Sequence, residues 1–227
     1  MGEYESDTIL GVLCGISDEP VINKFKSEFS NEIREFSNLM SVAFKEWKRV
    51  DKILTRSKKE SDAYISALIY AALNSHVISL KLLMIGLLVP SGNTQRYVLE
   101  SISTALLMSR PSLGYSERYM HGKYKPKSSV DILVKHRGKL NLDRNGLKVL
   151  GESMKFYNKM SHPSRLSLSS TISLSDKGVL YLGGAYDTGK HIAYTKEVQS
   201  KVSLAEIFPN LIQGVERNFS GEMKSNS

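Results

Sequence analysis

The residues best placed to do chemistry sit in the run Tyr157-Asn158-Lys159-Met160-Ser161-His162-Pro163-Ser164. Pro163 disfavours helical geometry in the residue before it, so a helix reaching this run ends near His162. A helix end presents carbonyls without intrahelical partners, and an imidazole held there can accept or donate a proton. Lys155, Lys159 and Arg165 flank it and supply charge for a phosphate while His162 moves a proton or contacts that phosphate. A second polar pair, Arg96 and Glu100, stands at i and i+4 on an otherwise apolar helix. It is either an ordinary helical ion pair or, with Ser161 and His162, part of one polar pocket. The second alternative makes His162, Arg96, Glu100 and Ser161 the candidate catalytic set. It requires segments some sixty positions apart to converge.

Other chemistries fit poorly. Gly184-Ala185-Tyr186-Asp187-Thr188-Gly189-Lys190-His191 nearly matches a phosphate-binding loop, but His191 replaces the hydroxyl residue that holds magnesium. No later strands follow to build the parallel sheet which that motif serves, so Tyr186-Asp187-Thr188-Gly189 is read as a turn. His76, His121, His136, His162 and His191 are scattered, and none pairs at helical ligand spacing, so no metal or other cofactor is expected. His76 lies in the most apolar stretch, where a core histidine bonded to a carbonyl is the simpler reading. A serine hydrolase lacks its Gly-x-Ser-x-Gly elbow.

The chain carries a net charge of +8, and the charge is uneven. From Arg110 to Arg144 nine Lys and Arg face three Asp and Glu, so most of the excess lies in about a sixth of the length. Arg118, Lys123, Lys125 and Lys127 are interleaved there with Tyr115, Tyr119 and Tyr124. Cations attract polyanions and aromatic rings stack bases, so RNA or another polyanion is the expected partner class; a solvated connector is the plainer alternative. Lone Cys14 excludes an internal disulfide and, with no signal-peptide pattern, points to a reducing cytosol. The apolar run Tyr64 to Val89 is long enough for a bilayer, but Asn74, His76 and Lys81 interrupt it. A mid-bilayer Lys costs about 2.5–3.5 kcal/mol on insertion scales, so a central core helix and no membrane are expected. Met1-Gly2 opens a loose myristoylation pattern crowded by Glu3 and Glu5, read as chance.

Periodicity supplies the elements that must position these groups. Residues 1–18 form a lead, and residues 19–219 one helical domain. Val21, Phe25, Phe29, Ile33, Phe36, Met40, Phe44, Trp47 and Val50 make one face of a long first helix. A second runs near 62–88, capped by Ser61 or Asp62 and ended by Pro90-Ser91-Gly92-Asn93. A third spans about 94–109, a short one 128–137, and another runs from about Asn145 to His162. Leu166, Leu168, Ile172 and Leu174 then alternate with polar residues, Ser175 to Gly178 turns, and Val179 to Leu182 returns: a β-hairpin over about 166–183. A last helix covers about 194–219 with Pro209 inside it, and residues 220–227 form a disordered tail. The fold class is therefore mainly α, a bundle of five or six helices with one C-terminal β-hairpin.

The order of an apolar helix, then Gly92-Asn93-Thr94-Gln95-Arg96-Tyr97-Val98-Leu99-Glu100, then a helix ending in Ser161-His162, resembles bacterial helical proteins similar to the HEPN superfamily over about residues 60–165. That resemblance implies a helical bundle of the toxin–antitoxin or antiphage type and a homodimer. For the ribonucleases of the superfamily it implies metal-independent cleavage by an arginine and a helix-end histidine in a shared cleft. His162 matches the histidine; the positions that would hold the arginine are Lys155, Phe156 and Tyr157. Lysine keeps the charge but lacks the planar fork. Two functions follow: a nucleic-acid-directed defence or toxin-type protein, or a noncatalytic helical module that meets a protein partner.

Overall fold

The computed structural model describes residues 6–16 and 18–223. The myristoylation pattern at Met1-Gly2 and the last four tail residues lie outside the described residues. Helices dominate: α1 (Ser6–Leu13), α2 (Asp18–Arg56), α3 (Glu60–Met84), α4 (Leu88–Met108), α5 (Tyr115–Met120), α6 (Ser129–Lys135), α7 (Arg137–Leu140), α8 (Arg144–Met160), α9 (Arg165–Ser169) and α10 (His191–Met223). The mainly helical class holds, but with ten helices among the described residues, more than the five or six expected.

The stripe read in α2 is the face it buries: Phe25, Phe29, Phe36, Met40 and Val50 are all in the core. α2 packs along α10 on one side and α3 on the other, and α3 packs along α4. α3 is long and apolar enough to cross a membrane by composition. Here it is flanked by α2 and α4, and it carries Asp62, Ser66, His76 and Ser79 into the interior. Residues 220–223, expected as tail, are the last turn of α10.

The turn between α3 and α4 falls earlier than the proline suggested. Gly86 takes φ +79, its N–H bonds the Leu83 carbonyl, and the Leu87 N–H reaches back to Leu82 at 2.9 Å. That paired pattern closes a helix on a left-handed glycine. Pro90 sits instead in the first turn of α4, where its missing N–H would have had no partner.

The hairpin is the element that the structure corrects. Leu166 and Leu168 belong to α9, whose first turn is capped reciprocally by Ser164 and Ser167. Ser169, Ser170 and Thr171 each return a hydroxyl to a carbonyl three residues back. Serine side chains thus give this backbone local partners in place of a ladder. Among the described residues no strand forms. A single antiparallel bridge, Ile172 with Leu180, is what remains, with N–H bonds from Ser173 to Val179 and from Tyr181 to Thr171, both 2.9 Å.

Candidate functional site

α8 packs on α4 at its C-terminal end, where Gly92 leaves room for Met160. A β-carbon there would run into the sulfur of Met160. With the helices this close, Arg96 Nε donates to Glu100 Oε1 at 3.0 Å and Arg96 Nη1 donates to Ser161 Oγ at 2.9 Å. Three of the four residues of the expected pocket are therefore joined. The Ser161 hydroxyl spends its proton on the Asn158 carbonyl at 3.0 Å, so it points no donor or activated oxygen outward. Arg96 is already matched by a carboxylate. This is a tied-down corner more than an open cradle.

His162 stands one residue beyond the contact. Its carbonyl accepts from Ser167 Oγ at 2.7 Å, while its ring is exposed and takes no hydrogen bond among the described residues. Lys155, Lys159 and Arg165 are exposed around the same helix end. Arg118, Lys123, Lys125 and Lys127 are exposed on the segment that follows α4, and none of them joins a salt bridge among the described residues. Arg118 lies over the Tyr115 ring at 5.4 Å.

What the sequence did not disclose is where the tyrosines gather. Tyr64 from α3 meets Tyr119 from α5 at 6.0 Å between ring centres, and Tyr119 meets Tyr124 at 6.2 Å. Burial, then the neighbouring Tyr97 and Tyr64 phenols, push the Tyr119 phenol above its ordinary range. Tyr97 from α4 is near enough to act on that phenol, with no ring contact to the group among the described residues; it is 50% exposed and Tyr64 is 41% exposed. Large aromatic rings left in water on otherwise buried helices were the available signal.

A second polar assembly is wholly internal. His76 is fully buried, with Nε2 at 2.9 Å from the Lys201 carbonyl and Nδ1 at 3.0 Å from the Gln95 amide. Burial, and then the Lys201 charge, push its imidazole down to about 3. Lys201, also fully buried, donates to Ser79 Oγ at 2.8 Å and pairs with Glu197 at 3.5 Å. Burial draws its ammonium below the ordinary lysine range, with Glu197 opposing. Tyr157 donates to the same carboxylate at 3.2 Å, and burial raises its phenol. Lys201, Glu197 and Gln95 were not singled out from the sequence, because i,i+4 charge pairs on a helix usually face solvent.

The run 184–191 is built for packing. A β-carbon on Gly184 would run into the Ile85 carbonyl. The Asp187 carboxylate accepts the amides of Leu174 at 2.6 Å and Gly189 at 2.9 Å. Lys190 turns inward to the Ser170 carbonyl at 3.0 Å, so it is not free for phosphate. No group of three or more His, Cys, Asp or Glu gathers among the described residues to hold a metal.

Comparison with protein-family models, with curated proteins and with solved structures gives no match. The HEPN resemblance rests on the residues quoted for it above.

Proposed function

We propose that this protein binds single-stranded RNA in a defence or toxin-type role. The binding surface is formed by Tyr64, Tyr97 and Tyr119 together with the cations from Arg118 to Lys127. One observation carries the reading: exposed Tyr64 and Tyr97 and half-buried Tyr119, from three helices, lie near one another beside lysines that no carboxylate neutralises. Bases stack on such rings at about 1–3 kcal/mol each, and the cations follow the backbone. Arg96 links this surface to the α8 end, since its neighbour Tyr97 lies near the tyrosine group while it holds Ser161 itself. Lys155, Lys159, His162 and Arg165 extend the cationic surface from there. Because Arg96 and Ser161 are committed to other partners, binding and not cleavage is the activity proposed.

Fluorescence anisotropy with a labelled RNA oligomer tests it. Binding weakens with salt, and Lys123→Ala/Lys125→Ala/Lys127→Ala lowers the salt slope by about 2, from about 0.7 per phosphate contact on a single strand. Absence of salt-sensitive binding by the unaltered protein removes the reading. Cleavage that disappears in His162→Ala would instead assign a ribonuclease.

A second reading has its own support. Leu168, Leu174 and Leu180 are each more than half exposed on the segment between α8 and α10, which suits a protein partner or a second copy.

A further inference from the structure

We infer that the cleft between α8 and α10, floored by α4, is a binding site for a small, flat, uncharged molecule with an amino edge, the chemistry of an aminated nucleobase or nucleoside. The cleft has a volume of about 440 Å³, within the range of small-molecule sites. Leu99 and Leu150 line it from α4 and α8, and Leu204 and Ile207 from α10, so a planar body meets apolar side chains on both sides. Its polar groups come from Gln95 on α4, Ser153 and Tyr157 on α8, and Ser200, Ser203 and Glu206 on α10.

Gln95 is the group that points to a ligand. It is 1% exposed, one amide atom contacts His76, and the other has no hydrogen-bond partner among the described residues although the residue lines the cleft. That second atom keeps a little access to the cleft, where a ligand group can meet it. The proton count of the neighbouring ring says which atom it is. A neutral imidazole has one N–H, and Nε2–H is taken by the Lys201 carbonyl. Nδ1 is then an acceptor, and the amide presents its NH2 to it, an orientation assigned by a half-turn of the amide. The Gln95 carbonyl oxygen therefore faces the cleft and asks for a donor.

Charge narrows the ligand further. Behind Gln95 the buried Lys201 is matched by Glu197, so the floor presents no net charge, and exposed Glu206 at the mouth disfavours an anion. An uncharged body with an N–H donor satisfies both. Tyr157, which also lines the cleft, is tied to Glu197 and Ser200 and keeps the walls apart. None of these residues belongs to the tyrosine surface, so the site does not rest on the RNA-binding reading.

Isothermal titration with adenosine, cytidine and purine riboside, which lacks the amino group, tests the site. Adenosine or cytidine saturates the protein, purine riboside binds at least about tenfold more weakly, and Ser203→Trp, which fills the cleft from its exposed rim, abolishes binding. Tyr97→Ala leaves nucleoside binding unchanged, which separates the cleft from stacking on the tyrosines. Ser203→Trp keeps the helical circular dichroism of the parent, which checks that the fold tolerates substitution here. The inference is overturned if neither nucleoside saturates at millimolar concentration. It is also overturned if purine riboside binds equally well, or if binding survives Ser203→Trp while disappearing in Tyr97→Ala.

Discussion

At the scale of single residues, His76 carries the clearest consequence for pH. Its folded-state imidazole titrates at about 3, against an ordinary value of 6.5. The unfolded chain takes up a proton near 6.5 while the folded protein refuses it, so the contribution to stability is whole above 6.5 and is lost as pH falls toward 3. Urea unfolding between those values shows stability dropping by about 1.4 kcal/mol per pH unit from this group. A flat profile, or the same slope in His76→Gln, contradicts that assignment. The imidazole's burial was legible, because it interrupts an apolar run. Its partners were not: Gln95 lies on α4 and Lys201 on α10, and only packing sets how those helices turn toward it. Arg96, Glu100 and Ser161 were legible as types, and the structure joins them; the ring of His162 stays outside the contact.

At the scale of elements, periodicity served where a helix buries one face. The phenylalanine stripe of α2 and the apolar stripe of α8 both mark buried surfaces. It failed over 166–174, where alternate apolar residues suit a strand and a serine-capped turn equally, and hydroxyl bonds to nearby carbonyls decided for the turn. It also passed over Gly86, since one glycine within a long apolar run gives no change of period. That glycine joins two demands: a left-handed backbone, and contact with the Ala185 backbone that any β-carbon would breach. Gly86→Ala therefore destabilises by more than about 2 kcal/mol, beyond the usual cost of losing a left-handed glycine. Thermal unfolding measures this, and a melting temperature within a degree or two of the parent would show that the turn relaxes freely.

At the scale of the whole molecule, an uneven charge and an uneven apolar surface divide the exterior. Cations gather after α4, and exposed leucines gather between α9 and α10. If the leucines seat a second copy, light scattering at high micromolar concentration reads a dimer, and Leu174→Ser/Leu180→Ser returns a monomer with unchanged helicity. A monomeric parent sends that patch to a different partner. The long-range pairing of helices has one more effect. α2 leans on α10, far along the chain, and the imidazole of α3 finds its carbonyl 125 residues away. Contacts of such separation cannot close piece by piece during synthesis. Until α10 emerges and lays its dry lysine against the centre, the nascent chain holds an open trough, and closure waits for that helix.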